Sequence, residues 1–426
     1  MSFRGLSQAR IRRSRLTCAV ICLLVVPLSS CSGGAIPTPE PVTIVFVHSG
    51  FDAEYYGAFV QEFNENYPYI TVKPVSSDTG DADVFVDSQF ALSELREQDN
   101  VLSLDPFIEQ DVSFDLSDFY PGTVGLFTSE GEVWAIPAGV DVVVMFYNQD
   151  LFDQYGVPYP EVGWTWDDFL NRALALRDPD AGVFGYAPTD RIVDSLSFIY
   201  QHSGRIFDDL QNPTRATFDD PLTIEALEWY ASLIHEHNVA PTQKQLYDQD
   251  LGGAGSVVIG VYMNKVGMWT GGLSERGGGR QVSTTWPGEW KMRWGFVPLP
   301  HDAQSATLTF VEGYSISSQA QYPDACWQWI SFLSEQMPSD ARYPLRLMPA
   351  RKSLAESAAY EQRVGSDVAA VARASVESAV LLSPRLVEFG GVWGILWRAL
   401  DAIISGHSTP EEAMVSAQQE AERIYP

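Results

Sequence analysis

Four polar side chains stand where apolar runs end, the positions at which alternating strands and helices gather a ligand. His48 and Ser49 follow Val42-Thr43-Ile44-Val45-Phe46-Val47, and Asp87 and Gln89 follow Asp83-Val84-Phe85-Val86. Imidazole, hydroxyl, carboxylate and carboxamide groups can hold a polar solute through hydrogen bonds. The sets that would signal metal or covalent chemistry fail on spacing. His235-Glu236-His237 does not put two histidines one helical turn apart, as a zinc protease needs. The six histidines and the one free cysteine offer no metal set, and no cofactor is called for. Gly252-Gly253-Ala254-Gly255-Ser256 lacks the lysine of a phosphate loop, and Gly277-Gly278-Gly279-Arg280 reads as a plain loop. Asp219 and Asp220 are adjacent and point apart, whereas glycoside hydrolysis needs two carboxylates facing across a bond.

The scaffold is legible around those groups. Val42–Val47 is β-branched and reads as a buried strand. Tyr55, Phe59 and Phe63 recur every four residues beside Tyr56 and Val60, which predicts a helix ended by Pro68. Ile70–Val75 and Asp83–Val86 read as the next strands. Strand, helix, strand in this order builds a mostly parallel sheet, and such sheets bind ligands beyond the carboxyl ends of their strands. Val142–Phe146 reads as a strand, and Thr165-Trp166-Asp167-Asp168 as a capping box that opens a helix. Ile224–Ile234 is helical, and Trp294-Gly295-Phe296-Val297-Pro298-Leu299-Pro300 is a short strand leaving its domain. Thr409-Pro410-Glu411-Glu412 starts the last helix.

Residues 1–30 form a leader. Arg4, Arg10, Arg12, Arg13 and Arg15 make a basic head without acid, and Leu16–Leu28 is apolar but too short to span a membrane stably. Leu28-Ser29-Ser30-Cys31 resembles the lipobox of bacterial lipoproteins. That resemblance implies cleavage before Cys31 and lipidation of its thiol. The mature protein is then expected outside the cytoplasm, in the periplasm or on the outer face, anchored to the cell membrane by lipid. Residues 31–41 are a glycine- and proline-rich spacer of about 3 Å per residue. Cys18 and Cys22 leave with the leader and Cys31 carries lipid, so Cys326 stands alone and no intrachain disulfide can form. Its apolar helical surroundings mark a buried, inert thiol. The 426-residue chain carries a formal net charge of −28, and loss of the leader arginines makes it more acidic still. That argues against nucleic acid and anionic lipid surfaces as partners.

Several phrases, taken in order, point to one family. They are Ala82-Asp83-Val84-Phe85, Leu104-Asp105-Pro106-Phe107, Gly131-Glu132-Val133-Trp134-Ala135-Ile136-Pro137 and Phe146-Tyr147-Asn148-Gln149-Asp150-Leu151-Phe152. Later come Gly267-Met268, Gly313-Tyr314-Ser315-Ile316-Ser317 and Met348-Pro349-Ala350-Arg351. From about Val42 onward the chain resembles the extracellular solute-binding proteins of carbohydrate ABC importers, the group that includes maltose-binding protein. The resemblance implies an α/β, two-lobed periplasmic-binding-protein-like clamshell of type II. Each lobe would be a mostly parallel sheet flanked by helices. Lobe 1 would comprise 42–142 plus 313–346, and lobe 2 143–312 plus 347–426. Three crossings are expected near Asp141–Phe146, Val311–Ser315 and Leu347–Arg351, with the ligand between the lobes. The implied partners are a small carbohydrate and the transmembrane permease subunits, with the binding protein itself a monomer and not an enzyme.

A sugar offers a ring of hydroxyls around weakly apolar faces, so its site needs planar polar groups and an aromatic ring. The resemblance places an acidic sugar ligand six residues before Tyr147, at Asp141. It adds Glu312 and Tyr314 at the second crossing, Arg351 at the third as ligand contact or hinge brace, and Trp269 and Trp393 as stacking aromatics. His48, Asp87 and Gln89 complete the candidate set. A tryptophan expected about six residues after Met268 is replaced by Ser274, which puts maltose specificity in doubt. Trp166, Trp294, Trp327 and Trp329 read as structural. Binding of a polyol, a glycerol phosphodiester or a peptide is a rival reading, a sensor subunit another, and a surface glycoside hydrolase a rival of another class.

Overall fold

The computed structural model describes residues 40–48, 53–76, 80–246, 257–278, 289–337, 345–387 and 390–424. The leader, Cys31 with its lipidation, most of the spacer and Ser49 lie outside the described residues. Pro41–Pro426 forms one compact unit. Its strands are β1 (Val42–Val47), β2 (Ile70–Val75), β3 (Val84–Ser88), β4 (Thr128–Ser129), β5 (Glu132–Val133) and β6 (Ile136–Asn148). They continue with β7 (Phe184–Ala187), β8 (Val266–Gly272), β9 (Trp294–Pro298), β10 (Thr307–Ile316), β11 (Met348–Pro349) and β12 (Ala379–Leu381).

The opening follows the sequence pattern. Alternate residues of β1 are buried, with Ile44 and Phe46 fully inside. The helix Ala53–Asn66 buries Tyr56, Phe59 and Phe63, and Tyr56 meets Phe46 of β1 edge-on at 4.8 Å. β1 then pairs in parallel with β2, Val42 opposite Ile70, and with β3 on its other side.

The expected mostly parallel sheets are in fact mixed. The strand order is β2-β1-β3-β10-β6-β8-β7, with β11 and β9 on β6 and β12 on β10. β10 runs antiparallel to both β3 and β6. β6 is a 13-residue strand, about 40 Å long at the usual rise. Its first part, Ile136–Val142, pairs with β10 and β11, and its second, Val143–Asn148, pairs with β8 and β9. Two sheets therefore share one strand, and the handover falls beside Asp141. β10 spans the same divide: Leu308 packs in one core, and Tyr314 and Ile316 in another.

The first core gathers Trp166, Phe169, Tyr186, Tyr230, Leu396 and Met414. The second gathers Ile44, Phe59, Phe63, Cys326 and Trp329. It also takes Tyr360, Ala369 and Val371, which lie in the span assigned by resemblance to lobe 2. Thr165 and Asp168 form the expected capping box of the helix Trp166–Leu176. Thr409 and Glu412 cap the helix Pro410–Ile424 reciprocally. Cys326 is fully buried, and burial pushes its thiol pKa up, as expected of an inert cysteine.

Two titratable groups in the first core's neighbourhood set a pH dependence. His202 follows the helix Arg191–Gln201 and stacks on Trp166, 5.6 Å between ring centroids. Its Nδ1 lies 2.5 Å from Asp302 Oδ2 and its Nε2 3.2 Å from Glu225 Oε2. Partial burial opposes the imidazolium, but the two carboxylates outweigh it and raise the pKa. Asp194 is buried against the Tyr186 hydroxyl at 3.0 Å. Burial pushes its pKa up to about 7, against the pull of Thr270 and Tyr186. Folded His202 keeps its proton to higher pH than the unfolded chain does. Its contribution is full below about 6.5 and is lost as pH rises through the folded value. Folded Asp194 holds a proton from about 3.9 upward that the unfolded chain releases, so it too lowers stability as pH rises to about 7. Denaturation midpoints should therefore fall as pH rises from about 4, where the unfolded chain begins to release the Asp194 proton, through the raised pKa of His202. Asp194→Asn should flatten the lower part of that slope and His202→Gln the upper part. Unchanged slopes in both variants would remove these groups as its cause.

Candidate functional site

β6 and β10 frame part of a cavity of about 520 Å³. β3 ends at Ser88, which caps the helix Gln89–Glu97 by accepting from Ala91 N and also lines the cavity. β6 contributes Asp141, β8 contributes Trp269, and β10 contributes Phe310, Val311 and Glu312. The turn after β8 supplies Ser274 and Glu275, and the helix Val257–Tyr262 supplies Val258, Val261 and Tyr262. Thr189, Trp290, Arg346 and Leu347 close the ring.

Asp141 is fixed by the turn it faces. Its Oδ1 accepts from Ser274 N at 3.0 Å and its Oδ2 from Ser274 Oγ at 2.6 Å. Gly272 makes this possible, because a Cβ there would stand 2.4 Å from Asp141 Oδ2. Ser274, the residue standing in place of the expected tryptophan, thus anchors the acid. Arg346 Nη1 donates to Ser274 O at 3.2 Å. Arg276 donates to Leu273 O at 2.9 Å, to Arg346 O at 2.7 Å and to Leu345 O. These bonds tie the turn after β8 to the segment that enters β11.

The aromatic wall is a stack. Trp269 is 1% exposed; it lies parallel to Phe146 at 5.9 Å and meets the edge of Trp290 at 5.0 Å. Trp290, partly buried, is the aromatic that sequence reasoning missed. Its four-residue spacing from Trp294 was the available signal, since the two rings meet edge-on at 5.3 Å. Tyr262 and Phe310 are further aromatic lining residues absent from the candidate set.

Three candidates, Asp141, Trp269 and Glu312, come together at this cavity. His48 and Tyr314 do not line it. Both are buried beside Tyr56: the His48 ring lies 5.4 Å from that of Tyr56. Burial pushes Tyr56 well above the ordinary phenol pKa, and Tyr314 and Glu312 add to the rise. Asp87 is exposed, and its Oδ1 accepts from the Ser88 N–H. Gln89 is fully buried, with Nε2 donating to Leu382 O at 2.8 Å and Oε1 accepting from Val311 N at 2.7 Å. Its carboxamide braces β10 because a buried amide must find protein partners.

Arg351 is 6% exposed between the rings of Phe114 and Phe119, at 4.5 and 4.6 Å. It pairs with Asp118 at 3.6 Å and Glu335 at 3.9 Å and does not line the cavity. Trp393, on the helix Gly390–Ile404, packs near Phe207 at 6.1 Å and away from the cavity lining. Among the described residues, no cluster of His, Cys, Asp and Glu is arranged to hold a metal, and no helix is long and apolar enough to cross a membrane.

Comparison with known proteins places this architecture. An arabinooligosaccharide-binding protein of Bacillus subtilis (strain 168) is 22% identical over 272 residues, 56% of this chain and 60% of that protein. Another arabinooligosaccharide-binding protein, from Halalkalibacterium halodurans, is 28% identical over 125 residues, 29% of this chain and 27% of that one. The chain thus spans less than two thirds of the length of either relative. The ABC substrate-binding protein of Listeria monocytogenes solved in complex with cycloalternan superposes with a TM-score of 0.73 at 21% identity. That match covers 90% of this chain and 99% of the other, and the fold is the type II periplasmic-binding-protein fold. The sequence model of the bacterial extracellular solute-binding proteins matches residues 52–336, and the chain belongs to that family.

Proposed function

We propose that this protein is the substrate-binding component of an ABC importer. It captures a mono- or oligosaccharide in the cavity beside β6 and β10 and hands it to the permease subunits. It is a lipid-anchored monomer on the outer side of the cell membrane and performs no covalent chemistry. The lobes are 42–142 with 313–346, and 143–312 with 347–426. The observation that carries this reading is the cavity itself, where Asp141, Glu275 and Glu312 stand beside Tyr262, Trp269 and Trp290. Carboxylates bridge sugar hydroxyls, and aromatic rings cover the C–H faces. The names of the relatives, which bind arabinooligosaccharides, agree with it.

The test is thermal unfolding of the protein from Val42 onward against mono- and oligosaccharides. A ligand at ~1,000 times its dissociation constant adds about 4 kcal/mol, a shift of several degrees. Stabilisation by one sugar class supports the reading. Silence across sugars with a response to polyols or phosphodiesters overturns the sugar assignment and leaves a binding protein for another solute. Asp141→Ala should weaken binding of the responding sugar by at least about tenfold, the loss of one charge-assisted hydrogen bond. Unaltered affinity in a folded variant would remove Asp141 from the site. Cys31→Ala should move the full chain from the membrane fraction to the soluble fraction, and continued membrane association would defeat the lipid anchor.

A further inference from the structure

Two strands meet end to end along one edge of β10, and a side chain fills the joint. β6 takes the opposite edge, from Thr309 to Tyr314. On the near edge β12 pairs with Thr307–Thr309 and β3 with Glu312–Ile316, so neither ladder includes Phe310 or Val311. β12 runs parallel to β10 and β3 antiparallel, which brings the carboxyl ends of both to the gap. Gln89, the residue after β3, stands there. Its Oε1 accepts from Val311 N at 2.7 Å, and its Nε2 donates at 2.8 Å to Leu382 O, just past β12. One acceptor and one donor of a side chain thus take the part of a peptide unit in the ladder. The opposite edge defines this stretch less firmly, because the register of β10 on β6 shifts between Glu312 and Gly313. Gln89, Val311 and Leu382 are all buried, so removing the amide strands polar backbone away from water. Ser88, Phe310, Val311 and Glu312, which flank the joint, line the cavity, whereas Gln89 does not.

Resting on the reading of this cavity as the sugar site, we propose that Gln89 is a positioning residue of that site. Its amide splices β3 and β12 onto β10 and thereby holds Phe310, Val311 and Glu312 in the cavity wall. It acts on the sugar only through β10.

Gln418 supplies a matched control. On the helix Pro410–Ile424 its Oε1 accepts from Phe218 N at 2.8 Å and its Nε2 donates to Ala216 O at 3.1 Å, and none of these residues lines the cavity. Gln89→Met and Gln418→Met each exchange an amide for an apolar chain of similar length, and both should lower the urea midpoint. Only Gln89→Met should weaken sugar binding, by at least about tenfold, the order carried by one buried hydrogen bond. Calorimetry well below the unfolding midpoint reads this with arabinotriose, galactotriose, maltotriose and their monosaccharides. In the unliganded protein, amide hydrogen exchange at Val311 should quicken at least about tenfold in Gln89→Met, while Ser315 stays protected. Gln89→Asn keeps the amide but falls one methylene short, and gives the same test if Gln89→Met does not fold. Unchanged exchange at Val311 overturns the splice. Faster exchange with parental affinity makes the amide a brace alone and overturns the positioning role, as does an equal loss of affinity in Gln418→Met. A parent protein that binds none of the probes overturns the sugar site, and this role in it, whatever the exchange at Val311.

Discussion

Gly185→Ala should destabilise the protein by more than about 3 kcal/mol, the upper end of what overpacking normally costs. The obstacle is backbone. A Cβ at Gly185 would fall 1.9 Å from Ala173 O and 2.5 Å from its carbonyl carbon. Ala173 is fully buried in the helix Trp166–Leu176, which lies on β7, so the neighbour is no side chain that can swing aside. Moving the strand the other way does not help. Gly267 of β8 is backed by Gly185 O, which would stand 2.9 Å from a Cβ there. Helix, β7 and β8 are pressed together through two glycines, and any added carbon forces them apart. Urea unfolding should show a lower midpoint, or the variant should fail to accumulate. Gly57→Ala is the control. Gly57 sits mid-helix in Ala53–Asn66 with nothing within 4 Å of a Cβ. It should gain about 0.5–1 kcal/mol from helix propensity. A Gly185→Ala protein as stable as the parent would mean that this helix does not lie on β7 as described.

Local order in this fold was legible in the sequence, and long-range order was not. The β-branched run of β1, the aromatic face of Ala53–Asn66 and the Thr165 capping box depend on residues within a few positions of each other, and all three stand as expected. β6 was read only from Val142, because Pro137, Gly139 and Asp141 interrupt the apolar pattern upstream. The structure absorbs them by pairing that stretch with β10 and β11. The insertion of β10 between β3 and β6 joins residues more than 160 positions apart, as in Val311 opposite Val140. Nothing in local periodicity states such a pairing. The candidate site divides in the same way. Asp141, which lines the cavity, was reachable through the family resemblance, which implies an acid six residues before Tyr147. Gln89 looked like a loop ligand because a carboxamide reads as polar, yet it is the first residue of a helix and braces the core. Ser274 registered only as a missing tryptophan, whereas its bonds to Asp141 are a positive feature of the site.

Trp269→Ala should both destabilise the fold and abolish sugar binding, and the two effects can be separated. The ring is nearly fully buried between Phe146 and Trp290, so its removal leaves a cavity that costs about 3–5 kcal/mol. The same ring lines the cavity, where it would cover an apolar sugar face. Phe146→Leu separates the roles. Phe146 is fully buried beneath Trp269 but does not line the cavity. It should lower stability by about 1–2 kcal/mol through lost packing while the affinity of the folded fraction stays within a factor of about three. Trp269→Phe should fall between the two, because it keeps an aromatic face while giving up part of the wedge. Calorimetric titration well below each variant's unfolding midpoint reads affinity without interference from stability. If Trp269→Ala binds its sugar as tightly as the parent does, the tryptophan is core alone. The stacking surface would then pass to Trp290 and Tyr262, which line the same cavity and are only partly buried.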